Sequence, residues 1–418
     1  MKNFFKFAER GTSYKTETLA GITTFLSIAY ILVVNPIILS QSGMDHGAVF
    51  TATALTAIIG ALLIGLLANF PIAIAPSMGL NSFFTFSVCI GMGIDWQVTL
   101  TGVFVASIIF MLLSLFKIRE KIINIIPIDL KYAIASGIGF FITFVGLKNG
   151  GIVVGNPDTF VSIGDLTSPM TLLAVLGLII TIIMLVRGIN GGIFYGMVIT
   201  TIVGMIFGLI DIPASIVGSI PSIEPTFGVV FGHLDEIFTL EILTVIFTFL
   251  IVAFFDTAGA LIGLTSQAGM MKDNKIPNIG KGLLADSAAG VIGAILGTST
   301  PATSVESSAG IAVGGKTGFT SVITAACFLV ALFFSPLVNV ISVEVTSAAL
   351  IIVGALMAME IRQINWTKLE IVIPSFLTII MMPLTSSVVI GIGLGFILYP
   401  ICLVAQKRAK EVHPVMYV

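Results

Sequence analysis

Charged residues are scarce in this chain. Lys, Arg, Asp and Glu together make up 10% of its 418 residues, against about 25% in ordinary soluble domains. That shortage excludes a soluble fold of this size, which could not cover its surface with so few charges. Cysteine is equally rare. Cys89, Cys327 and Cys402 stand far apart in apolar runs, a spacing that suggests neither a disulfide nor a metal site, and each reads as a small buried hydrophobe. His46, His233 and His413 fall in loops or the tail with no ligand spacing. No metal, no cofactor and no nucleic-acid partner is therefore expected. No cleavable signal peptide is expected either, since the sequence opens on charged MKNFFKFAERGTSYKTE rather than a short apolar core with a small-residue cleavage site. This opening is expected to lie on the membrane surface as an amphipathic segment.

Apolar residues are what the chain has, at 57%. A helix needs about 20 mostly apolar residues to cross a bilayer. Segments of that kind lie near 18–39, 48–68, 72–92, 97–116, 128–150, 170–186, 191–210, 241–265, 281–297, 299–315, 319–341, 344–360, 367–382 and 384–404. The pattern predicts an all-α polytopic membrane protein of fourteen spans, with only Met382-Pro383 dividing the last two. Charge placement tests the count. With the N-terminus inside, every basic residue except Lys148 falls on the inner side, while Asp45, Asp95, Asp158, Asp165, Asp211, Glu224, Asp235, Glu236, Glu241 and Glu344 fall outside. The positive-inside rule thus supports an even count with both termini cytoplasmic.

Two spans are poor continuous helices. The third reads NFPIAIAPSMGLNSFFTFSV and the tenth GTSTPATSVESSAGIAVGG. Each offers a short extended piece, then a proline, then a short helical piece. Irregular backbone at membrane depth survives only where protein buries it or a cavity lies beside it. Asn81 in one corresponds to Glu306 in the other, and the starts of spans 1 and 8, near Leu19 and Glu241, are separated by a similar interval. Seven spans per half is odd, so the halves must insert in opposite orientation. Broken helices at matching places in inverted halves point to a transporter binding site.

Two acids lie in apolar sequence: Asp256 in LTVIFTFLIVAFFDTAGALIGL and Glu306 in the broken tenth span. A charge at the bilayer centre costs about 2.5–3.5 kcal/mol even on the lenient insertion scale, and such residues usually mark a substrate or proton path. The bland alternative is a structural carboxylate bonded to a neighbouring helix. Burial disfavours the charged form, which suits Glu306 and Asp256 to proton coupling, and a carboxylate also accepts two N–H bonds from the edge of a planar ring. Asn81 supplies donors and an acceptor. The half-helix after Pro76 begins near Ser77-Met78-Gly79, and the one after Pro301 near Ala302-Thr303-Ser304, which places Thr303 and Ser304 among the binding candidates. Phe83, Phe84, Phe254 and Phe255 are close enough in sequence to stack on a ring, although core or lipid packing is the more ordinary use of each. Asp286, near the start of span 9, is balanced between a structural and a functional reading. The glycine-rich stretches GVIGAILG and GIGLGFIL lie in spans, where small residues let helices approach, and are not nucleotide loops.

The stretches FAERGTSYKTETLAGITTFLSIAYILVVNP, APSMGLNSFF, FFDTAGALIG, GTSTPATSVESSAGIAVGGKTGFTSV and MPLTSSVVIGIGLGF resemble the AzgA-like purine permeases, a branch of the nucleobase–ascorbate (nucleobase–cation symporter) transporters. The resemblance runs over essentially the whole chain. It implies a seven-plus-seven inverted repeat, with a core domain of spans 1–4 (18–116) and 8–11 (241–341) and a gate domain of spans 5–7 (128–210) and 12–14 (344–404). A cytoplasmic segment (1–17) and tail (405–418) flank them. It further implies uptake of adenine, guanine or hypoxanthine with protons through the plasma membrane, a substrate held between spans 3, 8 and 10, and Asn81, Asp256 and Glu306 as its site residues. Family likeness alone suggests a homodimer. The sequence departs from the relatives at Ala253, where many have a second acid, at Ala260, where Thr is common, and at Ile390, where a polar residue is common. These departures bear on purine preference and proton stoichiometry rather than on fold.

Four readings follow: a proton-coupled purine importer; a carrier of another solute, such as uracil or an inorganic anion, on the same fold; an intramembrane acid protease; and an uncoupled channel. Two acids without a neighbouring Lys or Arg weigh against an anion. A protease of this kind usually pairs two Asp residues on adjacent helices, whereas this chain pairs Asp with Glu.

Overall fold

The computed structural model of the protein describes residues 2–116, 127–270 and 276–411. The N-terminal half runs α1 (Phe7–Arg10), α2 (Tyr14–Ile28), α3 (Ile31–Ser40), α4 (His46–Leu63), β1 (Ile74–Pro76), α5 (Met78–Ser82), α6 (Trp96–Leu115), α7 (Ile128–Asn149), β2 (Val153–Asn156), β3 (Phe160–Ile163), α8 (Pro169–Val186) and α9 (Gly192–Ile206). The second half runs α10 (Leu240–Gln267), α11 (Ile279–Leu296), β4 (Pro301–Thr303), α12 (Ser307–Ala312), α13 (Gly318–Ala331), α14 (Ser335–Asn339), α15 (Val343–Ala358), α16 (Leu369–Thr385) and α17 (Val388–Ala405). Among the described residues nine helical stretches are long and apolar enough to cross a membrane, and four more are apolar but shorter.

Local chemistry sets many of the boundaries. Ser13, Asp45, Thr239, Thr317 and Ser387 each cap a helix by accepting a backbone N–H, satisfying a donor the helix cannot pair internally. The first long span is not one smooth helix: α2 gives way to α3 across Ala29 and Tyr30. Spans 13 and 14 divide at Ser386 and Ser387, with Ser386 in the left-handed region (φ 50°). Pro383, expected as the divider, lies within α16.

The helices pack in two sets. α2, α3, α4, α6, α10, α11, α12 and α13 contact one another, and α7, α8, α9, α15, α16 and α17 contact one another. Small residues make the closest crossings. A methyl group on Gly139 of α7 would stand 2.6 Å from the Gly354 carbonyl oxygen of α15, so the two backbones meet where neither helix carries a side chain. The sets touch where α2 meets α9, α3 meets α15 and α10 meets α7, and α5, beside the first set, also meets α7.

The N-terminal segment docks on the start of α13. Phe5 and Phe7 are buried against Phe319 of α13. Asn69 Nδ2 donates to the Phe5 carbonyl (3.2 Å), and Arg10 Nη1 to the Lys316 carbonyl (3.1 Å). Glu17 is fully buried and accepts from the Thr12, Thr317 and Thr320 hydroxyls and from the Lys316 and Thr317 amides. A buried carboxylate needs such a set of donors to offset its desolvation.

Candidate functional site

The two interrupted spans cross at β1 and β4. These strands pair antiparallel, Ile74 opposite Thr303, Ala75 opposite Ala302 and Pro76 opposite Pro301. The ladder extends by one bond at each end, from Ser77 N to Thr300 O (3.2 Å) and from Ser304 N to Ala73 O (2.9 Å). All six strand residues are buried. Each strand thereby supplies the backbone partners that the other would otherwise lack at membrane depth. Gly297 allows the entry to β4: it ends α11 at φ 101°, and a side chain there would strike Thr226. The approach to β1 is tied down by Ser321 Oγ, which accepts from Ile72 N (2.9 Å), and by Ser307 Oγ, which accepts from Ala73 N (3.0 Å).

The acids converge on this crossing from two directions. Asp256 comes from α10, which packs against α5, β4 and α12. Its Oδ2 accepts from the hydroxyl of Ser77, the residue after β1 (2.8 Å). Glu306 stands three residues after β4 and precedes α12. Its Oε1 accepts from the hydroxyl of Tyr30, at the α2–α3 break (2.6 Å). Ser77, Asp256, Ser304 and Glu306 are half-buried, and Val305 is 59% exposed, so this face of the crossing is open. A carboxylate has about four acceptor positions, so one hydroxyl on each leaves capacity for donors from a bound molecule.

The other sequence candidates point elsewhere. Asn81 is fully buried, and its Nδ2 donates to Asn35 Oδ1 on α3. Asn35 Nδ2 in turn donates to Thr53 (2.7 Å) and Thr298 (3.0 Å). Thr303 is buried and donates to Asp286 Oδ1 (3.2 Å), while Thr257 donates to Asp286 Oδ2 (2.7 Å). Asp286 thus sits on the closed side of the crossing and ties α10 and β4 to α11. Phe83 is fully buried with its ring centroid 4.8 Å from that of Phe249, and Phe254 packs against Phe110. The side chain of Phe255 lies outside the described residues. Among the described residues no cluster of His, Cys, Asp and Glu could hold a metal ion.

Tyr30 and Ser77, which hold the two acids, are not among the residues the sequence singles out for binding. Tyr30 is the one strongly polar-tipped aromatic in LSIAYILVVNP, and a buried tyrosine hydroxyl needs a partner. That was the available signal, although nothing local named the partner.

A family model described as a permease family, Xan_ur_permease, matches residues 15–394. The guanine/hypoxanthine permease PbuG of Bacillus subtilis is 55% identical, over 100% of this chain and 97% of its own. The adenine permease AdeP of Escherichia coli is 42% identical, over 99% of this chain and 93% of its own. Among solved structures, the transmembrane domain of a cyanobacterium bicarbonate transporter, BicA, superposes with a TM-score of 0.64 over 92% of this chain and 97% of that chain, at 17% identity.

Proposed function

This chain belongs to the Xan_ur_permease family, whose members are permeases and not enzymes, and on that premise we propose that it imports purine nucleobases together with protons. Its fold is that of an inverted-repeat transporter with two broken spans. Guanine and hypoxanthine are the first candidates, because a relative named for them is 55% identical, with adenine next on the 42% relative.

The observation that carries the reading is the open face at the β1–β4 crossing, where Asp256 and Glu306 are each bonded to a neutral hydroxyl. A purine edge presents N–H donors to carboxylates, and a carboxylate exchanging a proton with water couples that binding to the proton gradient. Among the described residues no basic group bonds to either acid, which favours a neutral ring over the anion named for the structural neighbour. Uracil fits the same donor chemistry, and the identity to purine permeases is what favours purines over it.

The moving parts follow the two packing sets. Spans 1–4 and 8–11 form the core that carries the site, and spans 5–7 and 12–14 form the gate. They meet beside the site, where a methyl on Gly79 of α5 would lie 3.0 Å from Ile138 of α7 and 3.5 Å from Met357 of α15. Rocking of the core against the gate would expose the crossing to each side in turn. The protein works in the plasma membrane with both termini inside.

The test is uptake of labelled hypoxanthine and guanine into proteoliposomes with an imposed proton gradient, with and without a protonophore, and with unlabelled adenine, guanine and uracil as competitors. Protonophore-sensitive uptake blocked by purines is expected. Purine uptake indifferent to the gradient would remove the coupling, and absence of purine uptake by membrane-inserted protein would remove the substrate.

A further inference from the structure

The contact between the first span and Glu306 is built with more care than a chance neighbour requires. Tyr30 is 2% exposed and ranks among the largest fully buried side chains of the protein. It stands in the two-residue break between α2 and α3, where Leu32 N turns to Ala29 O and Val33 N to Tyr30 O. Its hydroxyl donates to Glu306 Oε1 at 2.6 Å, a short O–H···O bond.

One turn further along the partner element, Gly310 of α12 lies directly on α2. A methyl there would stand 2.6 Å from the Ala20 carbonyl oxygen and would strike the Thr24 hydroxyl. The absence of a side chain at 310 lets α12 settle onto α2, and Ser307 Oγ, bonded to Ala73 N, fixes the start of that helix from the other side. Glu306 is therefore held at its backbone by Ser307 and Gly310 and at its carboxylate by Tyr30. Glu306, Asp256 and Ser304 are each half-buried beside the crossing, and a carboxylate that holds one protein hydroxyl keeps capacity for a further donor.

We propose that Tyr30 is a positioning residue for the transported nucleobase: its hydroxyl holds the Glu306 carboxylate in the one orientation that meets the ring edge, and so sets both affinity and the ranking of bases. This rests on the reading of Glu306 as a substrate-facing acid. Without the hydroxyl, the carboxylate is no longer preorganised and must be ordered by the substrate itself.

The test uses the full-length protein in proteoliposomes, quantified per vesicle, with labelled guanine in equilibrium exchange and adenine, hypoxanthine and uracil as competitors. Tyr30→Phe is expected to raise the KM for guanine about tenfold, about 1.4 kcal/mol. The maximal exchange rate per inserted protein should stay within about twofold, and the preference among the competing bases should narrow. A purely structural role would instead lower the rate per protein and leave KM and the competitor order in place. A Tyr30→Phe protein with unchanged KM and competitor order overturns the inference alone. A wild-type protein that exchanges no purine overturns the purine reading, and the inference with it.

Should Tyr30→Phe fail to insert, 3-fluorotyrosine placed at position 30 of the otherwise intact protein gives the second readout. Its fluorine resonance is expected to move on saturation with guanine. A resonance that stays put with guanine bound would overturn the proposal.

Discussion

Asp256, Glu306 and Asp286 carry the same functional group through similarly apolar sequence, and their surroundings assign them different work. The first two are half-buried and hold one protein hydroxyl each. Asp286 is 2% exposed and holds two hydroxyls, on separate oxygens. Glu306→Gln keeps the shape and an acceptor oxygen but cannot exchange a proton. It is expected to abolish gradient-driven accumulation of hypoxanthine while leaving measurable binding, and normal accumulation by a normally expressed variant would end its coupling role. Asp286→Asn puts an amide donor against a threonine hydroxyl in a closed site. It should lower stability by about 1–3 kcal/mol, read as an earlier thermal unfolding midpoint in detergent; an unchanged midpoint would show that Asp286 does not brace the crossing. The two site acids were legible in the sequence because a charge at membrane depth has few explanations. Tyr30 and Ser77 were not, since hydroxyls are frequent throughout these spans and their partners lie 276 and 179 residues away.

At the scale of the element, prolines and glycines announced that spans 3 and 10 are broken, because proline removes a donor and cannot continue a helix. They said nothing of register. The pairing of Ile74 with Thr303 turns Thr303 toward Asp286 and leaves the next residue, Ser304, half-buried, a choice of sides that one residue of slip would reverse. The same limit applies to Asn81. The half-helix passes from α pitch over Met78–Ser82 to π pitch over Phe83–Gly91, so no single spacing says which face is which, and the structure turns Asn81 to Asn35 on α3 rather than to the acids. Close packing allows a sharper expectation. Gly310→Ala adds a methyl 2.6 Å from the Ala20 carbonyl oxygen, so α12 must back away from α2 and take Glu306 with it. Misplacement of about 1 Å can cost on the order of a hundredfold in rate, and uptake should fall accordingly at unchanged membrane content. Uptake within twofold of the parent would show that α12 does not need this seat.

Over the whole molecule, the scarce charges predict an orientation. Basic residues cluster at one end of the predicted spans and acidic residues at the other, as membrane insertion favours. With the three native cysteines replaced by serine, Asp158→Cys in the β2–β3 hairpin should react with an impermeant maleimide on intact cells. Lys407→Cys, after α17, should react only once the cells are opened. The opposite pattern would invert the topology on which the direction of import depends. The N-terminal segment is a further whole-molecule feature. Its composition suits a helix at the membrane surface, and Phe5, Phe7 and Glu17 fasten it to residues 316–320.

The sequence by itself determined the membrane class, the approximate spans, the two interruptions and the presence of two acids at membrane depth. Each follows from a local rule, since hydropathy, proline chemistry and the cost of a buried charge act on residues close together in the chain. Tertiary structure alone decided which hydroxyl each acid holds, which face of each half-helix is open, and that Asp286 braces the crossing from behind. Those outcomes depend on bringing spans 1, 3, 8, 9 and 10 to one place at hydrogen-bond distances. A hydrogen bond is decided within a few tenths of an ångström, a precision that no spacing along the chain encodes.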